Sequence, residues 1–235
     1  MAINLPVYSQ WGQPWSSKKL GTSPYSMGTD GCFVTSVTAL MSPYQIKLDP
    51  GQVLDKLNAV GAIDQWGFLD HNKIGNAFPW VYFYGRERTT NDPTKDVSKK
   101  TIDAAMRSIK KFIDIGNPVV LTVDNMKNDG IPDHAVAAED YILKNNVVSD
   151  FTIMDPDGGK KILFSSKYGD PWKKLYGYIA FIGPTQEFRD GASPEMQQAS
   201  GAMYDLSQFR KRHQSDLNKL QYGFFVKAAM ERFVE

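Results

Sequence analysis

The chain has 235 residues, of which 42% are hydrophobic and 12% aromatic, so it can bury the core of one large domain and still carry an appendage. Its 27 Lys and Arg residues balance 26 Asp and Glu residues, which gives no sign of attraction to nucleic acid or to a membrane. A single cysteine excludes an internal disulfide framework, and the start MAINLPVYSQWGQPW lacks the basic and apolar stretches of a signal peptide, so we expect synthesis in the cytoplasm.

The first half of the chain predicts three helices, over residues 29–43, 48–63 and 98–118. Each has a stripe of apolar residues at helical spacing. In the second helix, Asp49 is a candidate cap and Pro50 suits the first turn, whereas Gly61 and Gly116 follow the apolar stripes of the second and third helices. The stripes consist of Val34, Val37, Leu40 and Met41 in the first helix, Val53, Leu54, Leu57 and Val60 in the second, and Ile102, Met106, Ile109 and Ile113 in the third.

Short apolar or alternating runs follow Pro118 and predict the strands of a mostly antiparallel sheet. The runs are VVLTV, HAVAAEDYIL, DFTIMDP, KKILFS and KLYGYIAFIG. Because helices come first and strands afterwards, we predict an α+β domain over residues 1–183.

Residues 184–235 have a different composition. A polar, turn-rich stretch leads into a segment of helical character with an apolar side that a lone helix could not keep in water. We therefore predict a helical C-terminal extension, which packs back on the domain or docks on a protein partner or assembly.

Cys32 opens the first predicted helix and has two interpretations. A free cysteine is often a small buried hydrophobe. Alternatively, the N-terminus of a helix favours negative charge on a thiol, and the preceding Gly31 would leave room for a substrate to approach the sulfur.

A nucleophilic cysteine requires a base, which is usually a histidine oriented by an acceptor. His134 begins a predicted strand and Asp155 ends the next one, so neighbouring antiparallel strands would bring the two side by side. His71 is predicted in a loop and His213 on a charged helix face. The alternative is that His134 is an ordinary loop histidine and that DPDGG is only a turn.

Stabilising the oxyanion of an acyl-transfer reaction requires a hydrogen-bond donor near the nucleophile. The segment YSQWGQPW offers Gln10, with Gln13 as the alternative. Its amide would act together with the backbone N–H of Cys32.

In chain order, YSQWGQPW, MGTDGCFVTSVTALMS, DPGQVLDKLNAVGAI, GNPVVLTV, DHAVAAEDY and IMDPDGG resemble the papain-like bacteriocin-leader peptidase family, in particular its stand-alone bacterial and phage relatives. The resemblance spans roughly residues 5–183 and implies a papain-like fold. It also implies that Gln10 is the oxyanion donor, Cys32 the nucleophile, His134 the base and Asp155 the orienting acid.

The chain departs from the family pattern at three positions. Phe33 and Val34 stand where the family has a small pair after the cysteine, and Asp133 stands where it commonly has glycine. We expect Phe33 to narrow the cleft and Asp133 to change the access to the base.

The favoured function is therefore a cysteine hydrolase of amide bonds, which acts on a peptide, a protein or the peptide cross-links of a bacterial cell wall. Trp11, Trp15, Trp66, Trp80 and Trp172 either line a groove for the substrate or pack in the core. The alternative function is a binding or structural protein on the same scaffold, such as a phage particle component. We expect no cofactor, no metal, no nucleic-acid or membrane partner, and release by lysis or carriage in a virion.

Overall fold

The computed structural model describes residues 3–44, 46–79, 81–88, 99–123 and 133–183. The helices are α1 (Met27–Asp30), α2 (Cys32–Met41), α3 (Pro50–Ala59), α4 (Ile74–Ala77), α5 (Lys99–Asp114), α6 (Phe164–Tyr168) and α7 (Pro171–Lys174). The strands are β1 (Tyr82–Arg88), β2 (Val119–Val123), β3 (His134–Lys144), β4 (Val147–Asp155), β5 (Lys160–Leu163) and β6 (Leu175–Ile182).

The described strands form one six-stranded sheet in the order β1-β6-β2-β3-β4-β5, and every neighbouring pair is antiparallel. A tight turn joins β3 to β4, in which Asn145 and Asn146 both have positive φ, as a two-residue hairpin turn of the primed type requires. These two strands carry His134 and Asp155 of the candidate site.

Both faces of the sheet are buried, because the side chains of its strands alternate between two cores. Val120, Ala135 and Ala137 face α2 and α3. Val119, Leu121 and Val136 face α5 and α6 on the other side. The fold is therefore α+β with helices on an antiparallel sheet, consistent with a papain-like arrangement, and the predicted fold class is confirmed.

The three predicted helices are present, as α2, α3 and α5. Asp49 caps α3, since its side chain accepts from the Gln52 N–H while the Gln52 side chain accepts from the Asp49 N–H. All the predicted stripe residues are buried except Val60, which is half-buried.

Strand β1 is not predicted from the sequence, and one predicted strand is partly helical. Strand β1 is an edge strand with a register shift between Phe83 and Gly85, so it shows no clean alternation. The segment KKILFS is a strand only to Leu163, because Phe164 starts α6. The order of helices before strands is also only approximate, since β1 precedes α5, and α6 and α7 precede β6.

The predicted C-terminal extension, residues 184–235, lies outside the described residues, so the domain boundary at 183 stays a prediction. Within the described ranges, no helix combines the length and apolarity that crossing a membrane requires.

Candidate active site

Cys32 is the first residue of α2 and is half-buried. Gly31 links it to α1, and a β-carbon at Gly31 would overlap the backbone of Met27. The glycine is therefore required because the chain at the end of α1 closes tightly onto Met27, which is a different reason from the predicted room for a substrate. This tight turn fixes the sulfur at the N-terminus of a ten-residue helix.

His134 and Asp155 meet because β3 and β4 are adjacent and antiparallel, as the sequence predicts. The His134 Nε2 lies 2.9 Å from the Asp155 Oδ1, and the imidazole donates to the carboxylate. The Cys32 side chain lies close enough to the same ring to favour its protonated form. Because Nε2 serves Asp155, Nδ1 is the nitrogen left to exchange a proton with the thiol.

The Asp155 carboxylate is completely buried and accepts hydrogen bonds on both oxygens. Oδ1 accepts from His134 and from the Asp157 N–H, and Oδ2 accepts from the Lys167 ammonium at 2.6 Å and the Tyr168 hydroxyl at 2.7 Å. Burial alone would raise the pKa of Asp155, but the hydrogen bonds from His134, Lys167 and Tyr168 lower it to about 2. Asp155 is therefore a carboxylate at neutral pH.

The same contacts favour the protonated form of His134. Burial by itself would lower the pKa of His134, but its hydrogen bond to Asp155 and its interaction with the Cys32 side chain raise it to about 9. An imidazolium next to a thiol and a buried carboxylate is the arrangement that activates a cysteine nucleophile.

Gln10 is 3% exposed and lies between α1 and the turn that follows Asp155. Its Nε2 donates to the Gly28 carbonyl in α1 at 3.2 Å, and its backbone N–H donates to the Pro156 carbonyl next to Asp155. The amide orientation is fixed, because exchanging its O and N would set two oxygens against each other. Among the described residues, no group pairs with the buried Oε1 of Gln10.

The alternative donor, Gln13, has a different place. Its backbone forms a turn with Ser16, whose hydroxyl accepts from the Gln13 N–H. The structure therefore brings Cys32, His134 and Asp155 together and places Gln10 between α1 and the turn after Asp155, whereas Gln13 lies in the turn that follows Gln10.

Three polar residues around Asp155 were not singled out from the sequence: Asp157, Lys167 and Tyr168. Asp157 lies in the DPDGG turn, which the sequence marks as a turn next to the predicted acid. Lys167 and Tyr168 lie in α6, just after a segment predicted as a strand. The sequence around Lys167 and Tyr168 carries no local signal which predicts that α6 folds onto the end of β4.

His71 belongs to an aromatic cluster. Its ring stacks on Phe83 with centroids 5.1 Å apart and meets Phe33 edge-on at 5.2 Å. Burial, followed by the charge of Arg86, lowers the pKa of His71 to about 4, although Asp70 opposes this, so the ring is neutral at pH 7. In the part of the chain that the structure describes, no three His, Cys, Asp or Glu side chains form a metal-binding group.

Two of the departures from the family pattern have clear structural roles. The Phe33 ring packs into the aromatic cluster with His71, and the Asp133 N–H donates to the Val123 carbonyl at the start of β3. The expected effects of these residues on the cleft and on access to the base stay predictions.

Of the tryptophans that the structure describes, two are exposed and two pack half-buried against the cores. Trp11 is 48% exposed and Trp66 is 63% exposed, whereas Trp15 and Trp172 are half-buried, and Trp80 lies outside the described residues. Trp11 adjoins the site, since its Nε1 donates to the Asp157 carboxylate at 3.1 Å. A groove lined by all of the tryptophans stays a prediction.

The Peptidase_C39 like family matches residues 2–179 of the chain. No curated protein and no solved structure matches it at a significant level. The matched range covers more than half of the chain and includes all four predicted site residues. The chain therefore belongs to the Peptidase_C39 like family, which is a cysteine peptidase family of the C39 type.

Proposed function

We propose that the protein is a cysteine peptidase that cleaves peptide bonds with Cys32 as nucleophile, His134 as base and acid, and Asp155 as the orienting group. One observation carries the proposal: a single imidazole is hydrogen-bonded to the buried Asp155 carboxylate and also interacts with the side chain of Cys32. The family membership supports the same chemistry.

The reaction follows from these contacts. The Cys32 thiolate attacks the carbonyl carbon of the scissile bond, and a tetrahedral oxyanion forms. The His134 imidazolium gives its proton to the leaving nitrogen, the C–N bond breaks, and a thioester to Cys32 remains. His134 then takes a proton from water as the water attacks the thioester, which releases the acid and restores the thiol.

Gln10 is the proposed oxyanion donor. Its Nε2 carries two hydrogens, and the Gly28 carbonyl takes one of them, so the second can serve a substrate. The Cys32 N–H is the second proposed donor.

The proposed substrate class is the peptide cross-link of the bacterial cell wall. The exposed indole of Trp11, next to Gln10 and anchored on Asp157, offers a flat apolar surface beside the site for a sugar ring or a peptide side chain. The assembled group of Cys32, His134 and Asp155 favours a hydrolase over a binding protein on the same scaffold.

The test supplies two substrates to the full chain: purified cell-wall muropeptides and a synthetic peptide with a double-glycine leader site. Mass spectrometry follows the products and the thioester on Cys32. We expect muropeptide cleavage that is lost in Cys32→Ala and His134→Ala and retained in the control Asp55→Asn, whose carboxylate is exposed. Cleavage of the leader peptide alone would overturn the cell-wall assignment, and cleavage that survives Cys32→Ala would overturn the mechanism.

A further inference from the structure

The Asp155 carboxylate has more partners than a nucleophile–base–acid group requires. His134 uses only one of its oxygens, Oδ1. The other oxygen, Oδ2, accepts from the Lys167 ammonium at 2.6 Å and from the Tyr168 hydroxyl at 2.7 Å. A lysine cation therefore lies directly on the group that orients the base.

The structure holds Lys167 in place through α6. The Phe164 side chain is completely buried at the start of this helix. Ser165 donates through its N–H and its hydroxyl to the Asp150 carboxylate of β4, and Gly169, with a φ of +83°, ends the helix. The side chain of Lys167 is only 30% exposed, so its ammonium is not a freely moving surface charge.

The Lys167 ammonium also contacts a second carboxylate, that of Asp157, which is hydrogen-bonded to Trp11. Its ammonium lies 2.8 Å from the Asp157 Oδ2, and the Asp157 Oδ1 accepts from the Trp11 indole. The neighbouring Gln10 N–H donates to the Pro156 carbonyl at 3.0 Å. One cation thus joins the acid that orients the base to the segment that carries the proposed oxyanion donor.

We propose that Lys167 is a positioning residue of this site, which acts on His134 through Asp155: its ammonium fixes the buried carboxylate, offsets part of its charge, and ties it through Asp157 to the Gln10 segment. The inference rests on the peptidase function proposed above. Helix α6 thereby contributes a cation that holds the orienting carboxylate, which neither Cys32 nor His134 can supply.

The physical consequence concerns the proton on His134. A bare buried carboxylate would hold the imidazolium strongly and make it a weaker acid toward the leaving nitrogen. A cation on Oδ2 offsets part of this attraction. The titratable and charged groups around Asp155 are Cys32 on α2, His134 on β3 with Asp133 before it, Asp157 in the turn, Lys160 opposite Asp155 on β5, and Lys167 and Tyr168 on α6.

The test follows the ring nitrogens of His134 by NMR in the full chain, labelled with ¹⁵N-histidine and titrated between pH 5 and 10. The His134 signals are assigned by their absence in His134→Gln. The variants are Lys167→Met, Lys167→Gln in case the first does not fold, Lys167→Arg as the conservative replacement, and Lys110→Met as the control. Lys110 is also paired with an aspartate, but on α5.

We expect Lys167→Met to raise the pH midpoint of His134 by about one unit, because the carboxylate charge is no longer offset. Lys167→Arg restores the parent midpoint and Lys110→Met leaves it unchanged. In an Asp155→Asn background the shift disappears, because the effect passes through Asp155.

An unchanged or lowered midpoint in Lys167→Met, or an equal shift in the Asp155→Asn background, would overturn the inference. Peptide cleavage that depends on Cys32 is judged separately. An unshifted His134 in a protein that still cleaves peptides overturns the role of Lys167 and leaves the peptidase function standing.

Discussion

Asp155→Asn tests whether the buried acid is ionised and held as the structure shows. The asparagine keeps the shape of the side chain and can still accept from His134, but it loses the negative charge. Lys167 and His134 then lose the charge that both of them face. We expect a folded protein with a lower free energy of unfolding.

The magnitude follows from the pKa of Asp155. A fall from the ordinary 3.8 to about 2 corresponds to about 2.5 kcal/mol in favour of folding, at about 1.4 kcal/mol for each tenfold change in proton affinity. Because the folded-state pKa is the lower one, this contribution is complete above the unfolded value near 4 and is lost as the pH falls through about 2. The hydrogen bond to His134 is part of this figure and is not added again.

The assay is urea unfolding of the parent and of Asp155→Asn, followed by tryptophan fluorescence between pH 2.5 and 6. The free-energy difference between them should be about 2–3 kcal/mol at pH 5.5 and shrink toward acid pH. Asp55→Asn, at an exposed ion pair with Lys18, should cost less than about 1 kcal/mol. A difference that does not depend on pH, or that equals the Asp55 control, would show that Asp155 is not an ionised carboxylate held by its partners.

Three further predictions concern the rest of the site. The free energy of unfolding of Cys32→Ser should lie within about 1 kcal/mol of the parent's, and the variant should lose peptide cleavage. A large loss of stability in urea unfolding would instead indicate a core cysteine. Gln10→Ala should lower kcat about 10²–10³-fold with little change in KM, and Gln13→Ala should not, which steady-state kinetics on the muropeptide substrate would check. Because the folded-state pKa of His134 is raised to about 9, its stabilising contribution is complete below about pH 6.5 and lost as the pH rises through 9; His134→Gln should therefore differ from the parent in urea unfolding at pH 6 but not at pH 10.

The sequence predicts the helices of this fold better than the edges of its sheet. Helix α3 has its cap, its first-turn proline and its apolar stripe within the helix itself, so local chemistry specifies it. Strand β1 contains Gly85 next to a register shift and is held by its pairing with β6, which is distant in the sequence. Tertiary contacts therefore determine β1. They also determine the start of α6, where the buried Phe164 begins a helix inside a segment predicted as a strand.

The candidate site shows the same division. The sequence places His134 and Asp155 together because each lies at the end of a strand that pairs with its neighbour. Gly31 precedes Cys32 as the sequence indicates, although its reason is the close contact with Met27. The contact of Lys167 with Asp155 could not be predicted from the sequence, because it depends on how α6 packs against β4. The residues next to Lys167 in the sequence do not indicate that packing.

The activation of Cys32 by His134 is tested most directly by the rate at which iodoacetamide alkylates the Cys32 thiol, followed by mass spectrometry between pH 4.5 and 10. Since this is the only cysteine of the chain, the modified site is unambiguous. Activation by His134 predicts rapid alkylation of the parent below pH 6, where an ordinary thiol is protonated, and the loss of this alkylation in His134→Ala. Identical profiles for the two proteins, both rising only in the alkaline range, would contradict it.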